Sequence, residues 1–287
     1  LVIIIIMGLI SSVFLPLAIA FIMFSLGLNL KISDFTRIFV QPKDLFIGLF
    51  SQIIILPLVA LILVIFYPNL PVELAVGVMI IAAVPGGATS NMFSSIANGD
   101  VPLSISLTAI TSLICIISIP LISIFSYNYF IGSIIEVNTT QKSLELFAIV
   151  TIPTILGMLV NKYLQSFANN FQSKAKIISL VLLALVIIGA VLKDLSNVPI
   201  YFKQAGLITL ILNIVMMIIA FYIGKFLASS IKQTKTYVCE LGLQNGTVAI
   251  FVADRIFGDQ IFAIPAITYS LIMFLTSIVF VYYIRNK

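Results

Sequence analysis

Histidine and tryptophan are absent from this sequence, cysteine occurs twice, and only 9% of the 287 residues are charged. Without histidine, the chain has no Ser-His or Cys-His nucleophile system, no histidine ligand for haem and few ways to hold zinc. Cys115 and Cys239 lie in apolar runs without CxxC spacing, so they form neither a disulfide framework nor a redox motif. The basic residues are scattered along the chain at the ends of apolar segments, so the net charge of +5 predicts no nucleic-acid partner.

Apolar residues make up 61% of the chain, and its mean hydropathy is +1.24. An ordinary soluble domain is about 25% charged, and a water-soluble fold of this size has no interior large enough for so much apolar surface. The composition therefore predicts an all-α polytopic protein surrounded by the lipid bilayer. A transporter, a channel, an intramembrane enzyme and an assembly subunit remain open, and nothing indicates an obligate protein partner.

Long apolar segments recur along the whole chain, and a membrane-crossing helix needs about 20 apolar residues. We predict one transmembrane domain over residues 1–287, with no separate soluble domain. Nine spans are expected, at about 1–30, 44–67, 72–97, 101–127, 143–165, 175–193, 201–230, 233–256 and 260–284.

Lysine and arginine are distributed unevenly between the two sides of the membrane that these spans would define. Eleven of the fifteen fall on the side that holds the C-terminus, and four fall on the other side. Because cytoplasmic loops carry the excess of basic residues, the N-terminus is predicted outside and the C-terminus in the cytoplasm. The isoleucine-rich composition and short loops favour a multi-pass protein of the cell inner (plasma) membrane.

Two of the predicted spans contain polar, helix-breaking stretches, at 84–91 (VPGGATSN) and 240–246 (ELGLQNG). In the first stretch, proline removes a backbone donor and paired glycines loosen the helix. The second stretch places a carboxylate, two amides and two glycines inside an apolar segment, so we expect both spans to be discontinuous. The alternative is a structural kink with hydrogen bonds between helices. The third and eighth spans cross the membrane in opposite directions, which favours an inverted-repeat transporter whose binding site lies where the breaks meet.

Glu240 is the sharpest single candidate, since the other nine acidic residues fall at span ends or in connections. An intramembrane carboxylate is a functional hypothesis by default. Neutral oxygen donors are available around it, and such a mixture suits Na⁺ better than divalent or softer metals. The competing interpretation is that the serine and threonine hydroxyls only donate hydrogen bonds to backbone carbonyls of their own helices. The neutral candidates are Gln52, Ser90, Asn91, Ser104, Thr108 and Gln244.

Four stretches resemble the bile acid:sodium symporter family. They are 85–91 (PGGATSN), 240–245 (ELGLQN), 23–28 (MFSLGL) followed by 31–35 (KISDF), and Ser51-Gln52 with Leu56-Pro57. The resemblance covers nearly the whole chain. It implies two five-helix inverted repeats in which two discontinuous helices cross, arranged as a core domain and a panel domain.

The implied core helices are about 44–127 and 201–284, and the implied panel helices are about 1–30 and 143–193. The chain is similar to members that have nine transmembrane helices because they lack the first helix. A ten-helix member whose first helix lies outside the given chain is the alternative.

The resemblance also implies two sodium sites. The first would use Ser90, Asn91, Ser104, Thr108 and Glu240. The second would use Gln52, Glu240, Gln244 and the backbone carbonyls of Leu241 and Leu243. Glu240 would couple the two ions by serving both sites.

The family transports organic anions, either bile-acid-like compounds or small keto and hydroxy acids. Amide donors of the backbone and of Asn245 at the breaks would bind the carboxylate of the substrate, and an apolar wall would lie beside it. The sequence departs from its relatives at Ala88-Thr89, which are swapped, at Gly246 in place of serine, and at Met273-Phe274 in place of a His-Asn pair. The predicted substrate residues are Thr89, Ser90, Asn91, Asn245, Gly246, Met273 and Phe274.

We therefore predict a sodium-coupled symporter that imports an organic anion by alternating access, and not an enzyme. A proton-coupled antiporter of similar architecture is the alternative, although it would be expected to pair its acid with a base or a second acid. An intramembrane protease would need histidine or two midplane aspartates. A relative that senses ligands without transporting them is also open, but the set of cation ligands argues against it.

Overall fold

The computed structural model describes residues 13–31, 33–34, 42–132, 138–193 and 198–285, and all the regular elements in these ranges are helical. The prediction of an all-α chain is confirmed. Within these ranges, five helices are long and apolar enough to cross a membrane, and Leu15–Gly27 and Val72–Ala83 are shorter apolar helices. This is the make-up of a polytopic membrane protein. Residues 1–12 of the first predicted span lie outside the described residues.

The first part of the chain forms six helical segments. They are α1 (Leu15–Gly27), α2 (Pro42–Phe66), α3 (Val72–Ala83), α4 (Ala88–Ile96), α5 (Val101–Ile131) and α6, which runs as Thr139–Leu146, a π turn Phe147–Thr151, and Ile152–Tyr163.

The second part forms five more. They are α7 (Gln165–Lys193), α8 (Val198–Leu227), α9 (Ile231–Gly242), α10 (Gly246–Phe257) and α11 (Ile264–Ile284), which follows a 3₁₀ turn at Gln260–Ala263.

A proline produces a π turn inside α2. In a regular helix, the ring of Pro57 would clash with the preceding turn. The helix avoids this clash by widening into a π turn at Ser51–Ile55, where the N–H of Leu56 donates to the carbonyl of Ser51. The wider turn contains Gln52, whose side chain is buried. The same device occurs in α6 before Pro153, where Ile152 bonds to Phe147.

Both breaks predicted from the sequence are present. Val84 leaves the helical conformation at ψ 157°, and Gly87 is extended at φ −121° and ψ 177°, so α3 ends and α4 begins around Pro85. Leu243 is extended at φ −113° and ψ 97°, which separates α9 from α10. Each predicted span thus becomes two short helices joined by extended backbone.

The position of α7 differs from the prediction, because the helix begins at Gln165 rather than at about 175. The polar residues 165–176 look like a connection in the sequence, but they continue the helix. Lys174 and Lys176 therefore belong to a helix that packs on α1 and α6.

Helices α1 and α6 approach backbone to backbone through two glycines. A Cβ placed on Gly27 would lie 2.1 Å from the carbonyl oxygen of Thr154, and one placed on Gly157 would lie 2.3 Å from that of Phe24. Small residues allow such close approach between membrane helices, where van der Waals contact drives association. This pair therefore holds α1 against α6.

We expect Gly157→Ala to lower the melting temperature, because the new methyl group would meet backbone that has little room to move. Overpacking typically costs about 1–3 kcal/mol. The matched control is Gly206→Ala in α8, where a Cβ meets no atom within 4 Å and the helix gains about 1 kcal/mol of propensity. Thermal unfolding in detergent measures both, and an equal rise in the two melting temperatures would contradict the close α1–α6 contact.

Candidate functional site

The two breaks lie against each other and complete each other's hydrogen bonds. Gly86 and Gln244 form an isolated antiparallel bridge, and the N–H of Asn245 donates to the carbonyl of Pro85 at 2.9 Å. Backbone groups that leave a helix at membrane depth need partners within the protein. Each break supplies them for the other, which fixes the ends of α3, α4, α9 and α10 relative to one another.

Glu240 lies in the last turn of α9 and is only 3% exposed. Its Oε1 accepts a hydrogen bond from the Ser104 hydroxyl, and its Oε2 accepts one from Thr108 at 2.9 Å. Ser104 and Thr108 are four residues apart, so α5 presents both hydroxyls on one face. No described lysine or arginine pairs with the carboxylate.

Asn91 joins the same cluster, which holds more acceptors than protons. Its Oδ1 lies 2.8 Å from the Ser104 hydroxyl and 3.4 Å from that of Thr108. Each hydroxyl carries one proton but faces both Asn91 and a Glu240 oxygen, so only half of these contacts are hydrogen bonds at any moment. Surplus oxygen lone pairs around a buried carboxylate are the donor set that a hard cation fills.

Ser90 completes this first group of oxygens. Its hydroxyl donates to the carbonyl of Gly87 at 2.7 Å, which leaves its lone pairs available. A Cβ on Gly86 would lie 2.7 Å from Glu240 Oε2 and 3.1 Å from Ser90 Oγ. Glycine at position 86 therefore keeps open the space between these two oxygens.

A second group is built from two buried amides. Gln52 Nε2 donates to Gln244 Oε1 at 2.7 Å and to the Val84 carbonyl at 3.3 Å, while Gln244 Nε2 donates to the carbonyls of Leu241 at 3.0 Å and Glu240 at 3.3 Å. The Oε1 of Gln52 is buried and has no hydrogen-bond partner in the described part of the chain. A buried acceptor without a donor is costly unless a cation or water satisfies it.

The structure thus brings all five residues of the first predicted cation set together. In the second set, Gln52, Gln244, Leu241 and the Glu240 carbonyl are joined by hydrogen bonds. Both carboxylate oxygens of Glu240 are turned to Ser104 and Thr108 instead. Leu243 is fully buried at the break, in extended conformation.

A cavity of about 80 Å³ lies beside the breaks. Of the predicted substrate residues, four line it: Thr89, Asn245, Gly246 and Met273. Ser90 is fully buried and Asn91 bonds within the first oxygen group, and neither lines the cavity. Phe274 packs against Phe93 with ring centroids 6.3 Å apart.

Another part of the lining comes from α1 and α7, and reasoning from the sequence missed it. Ser25 and the α7 residues Lys176, Ser179, Leu180 and Leu183 line it. The α7 positions follow helical spacing of three and four residues, a signal present in the sequence, but the lysine resembles a charge at the end of a span.

Two further residues that the sequence did not single out hold the end of α9. Asn213 Nδ2 donates to the Gly242 carbonyl at 2.7 Å, and the Tyr269 hydroxyl donates to the same oxygen at 3.1 Å. The last carbonyl of a helix has no partner within the helix. These two side chains supply donors for it from α8 and α11.

The sequence of this chain is similar to those of known transporters. The model of the Sodium Bile acid symporter family matches residues 16–199. The sodium-dependent transporter YocS of Bacillus subtilis is 27% identical over 266 residues, which cover 90% of this chain and 79% of that protein.

Chloroplast proteins are also similar. The probable sodium/metabolite cotransporter BASS2 of Oryza sativa subsp. japonica is 24% identical over 270 residues, 93% of this chain and 62% of that protein. The probable sodium/metabolite cotransporter BASS1 of Arabidopsis thaliana is 26% identical over 243 residues, 85% of this chain and 59% of that protein. The chain therefore spans about three fifths of these two relatives.

We expect Thr108→Val to destabilise the protein in sodium-free buffer, because valine keeps the shape but leaves Glu240 Oε2 without this donor. A hydrogen bond to a charged group contributes about 1.5–3 kcal/mol. Thr111→Val is the control one turn along, since the Thr111 hydroxyl bonds only to carbonyls of its own helix, at 2.7 and 3.2 Å. Equal losses of thermal stability in the two variants would mean that the Thr108 hydroxyl does not support the carboxylate.

Proposed function

Because the chain belongs to the Sodium Bile acid symporter family, a family of transporters rather than enzymes, we propose that it is a sodium-coupled symporter that imports an organic anion by alternating access. The observation that carries the proposal is the excess of acceptor oxygens over protons around Glu240, next to the paired breaks. Sodium as the coupling ion agrees with the sodium-dependent relatives.

Two sodium ions are proposed as co-transported substrates. Ser90, Asn91, Ser104, Thr108 and Glu240 would hold the first. Gln52, Gln244, the carbonyls of Leu241 and Leu243, and Glu240 would hold the second. The unpartnered Oε1 of Gln52 supports the second site, and the Glu240 carbonyl already contacts Gln244 there.

The anion is proposed to bind in the cavity beside the breaks. Helices α4 and α10 both begin there, so their positive dipole ends would stabilise a negative ligand. Thr89, Asn245 and Gly246 would supply contacts, with Met273 as an apolar wall. A volume of about 80 Å³ favours a small organic acid over a bile acid, because drug-sized ligands need about 300–1,000 Å³.

Alternating access would move a core domain against a panel domain. The contacts support this division: α1 packs on α6 and α7, whereas α8 packs on α9 and α11, and α3 packs on α5. In the proposed topology, nine helices cross the inner membrane with the N-terminus outside and the C-terminus in the cytoplasm. The sodium gradient and the inside-negative potential would then drive uptake. Bound sodium would shift the equilibrium between the outward-open and inward-open conformations only if its affinity for them differs.

Sodium is expected to raise the melting temperature of the purified protein, and Glu240→Gln is expected to abolish this response. A ligand that binds only the folded state stabilises it by about 2.7 kcal/mol at a hundred times its Kd. In sodium-free buffer the variant should be at least as stable as the wild type, because the amide removes a buried charge. Melting curves in Na⁺ and in K⁺ at constant ionic strength measure both effects.

If Na⁺ and K⁺ act alike on the wild type and on Glu240→Gln, the sodium assignment is wrong. Uptake into proteoliposomes that follows a pH gradient without sodium would then favour the proton-coupled antiporter.

Gly86→Ala is expected to weaken the sodium response at least tenfold, because its methyl group would lie 2.7 Å from Glu240 Oε2. The neighbouring Gly87→Ala is the control, since a Cβ there meets no atom closer than 3.4 Å. Sodium titrations followed by melting temperature compare the two. If both variants keep the wild-type midpoint, the space beside Gly86 is not where the ion binds.

A further inference from the structure

The cavity beside the breaks is lined by polar groups from two different sets of helices. Asn245 is the last residue of the break before α10, Gly246 begins α10, and Thr89 lies in the first turn of α4. Lys176 and Ser179 come from α7, on the side that packs with α1 and α6. The rest of the lining is mostly apolar, and the described residues contribute no acidic side chain to it.

Asn245 presents a donor without a partner. It is 7% exposed, and its Oδ1 caps α10 by accepting from the N–H of Val248 at 3.3 Å. Only the oxygen of an amide accepts from an N–H, so this cap fixes the orientation of the side chain. The Nδ2 group is left on the other side, with no hydrogen-bond partner among the described residues, in a side chain that lines the cavity.

Lys176 presents a charge without a partner on the α7 side. It is accessible, and it forms no ion pair within the described ranges. Ser179, three residues further along the same helix face, has a buried Oγ with no hydrogen-bond partner in the described part of the chain. Lys176 and Ser179 therefore both belong to the lining of the cavity, on a different helix from Asn245.

We propose that the transported anion is a compact organic acid with two acidic groups, one bound by Asn245 and the helix ends at the breaks and the other by Lys176 and Ser179. This inference rests on the proposed function and adds a substrate class and a specificity-determining residue to it. An acid with one carboxylate would pair with only one of the two polar clusters and would forgo either the charge of Lys176 or the buried amide of Asn245. An acid with two carboxylates satisfies both clusters.

The experiment measures the binding of matched acids to purified protein in saturating Na⁺ by the rise in melting temperature. The probes are malonate, succinate and glutarate against propionate, butyrate and pentanoate, which have the same numbers of carbons. We expect at least one of the dicarboxylates to bind the wild type tenfold or more tightly than its monocarboxylate partner. Lys176→Gln should reduce this preference to less than threefold, and Lys176→Arg should restore most of it.

Two further variants separate the polar clusters. Lys174→Gln removes a charge from α7 at a position that does not line the cavity, and the preference should remain. Asn245→Asp keeps the cap acceptor for α10 but replaces the Nδ2 donor with an anion, so it should weaken both classes of acid at least tenfold.

The proposal is overturned if no dicarboxylate is preferred by the wild type, or if Lys176→Gln leaves the preference intact or weakens both classes equally. The sodium titration separates these failures from that of the proposed function. A wild type that responds to Na⁺ but prefers no dicarboxylate loses only the substrate class. A wild type that does not respond to Na⁺ loses the symport assignment, and with it the basis of this inference.

Discussion

The pairing of the two broken helices is the constraint on which the rest of the site depends. Extended backbone inside a bilayer has no water to bond with, so neither break is stable alone. The Gly86–Gln244 bridge and the bond from Asn245 to Pro85 satisfy each break with the other. This pairing brings the ends of four helices together and thereby fixes the backbone positions from which the surrounding side chains extend.

The same pairing links the oxygen groups to the cavity. Gln244 takes part in the bridge, bonds to Gln52, and lines the cavity. Glu240 contacts Gln244 through its carbonyl and α5 through its carboxylate. An ion in either oxygen group would therefore change the electrostatics of a residue shared with the other group or with the anion cavity. Coupling between proposed ligands needs such shared contacts, because affinity for one must depend on the presence of the other.

The sequence predicted what depends on residue chemistry and missed what depends on how helices face each other. Proline followed by two glycines at 85–87 predicts a break, and the amides and glycines after Glu240 predict another. Glu240 itself stands out because a membrane carboxylate is costly. The position of Lys176 in the lining of the cavity was not predictable in this way, since a lysine at a span end looks like a topology signal. That position follows from where α7 begins and from which helices α7 packs on. The Gly27–Gly157 contact, likewise, is a property of two helices together.

The distribution of contacts also bears on the order of events in transport. The residues of both oxygen groups come from α2, α4, α5, α9 and the break after α9, so ions there would touch one set of helices only. The cavity is different, because α1 and α7 contribute to its lining together with α4, α10 and α11. A ligand in it touches both sets of helices. Ions alone would therefore order the breaks, but they would not favour any one distance between the two sets of helices. The anion would favour the distance at which both of its ends are bound. In this scheme the anion, rather than sodium, selects the closed arrangement, and sodium sets how tightly the anion is held.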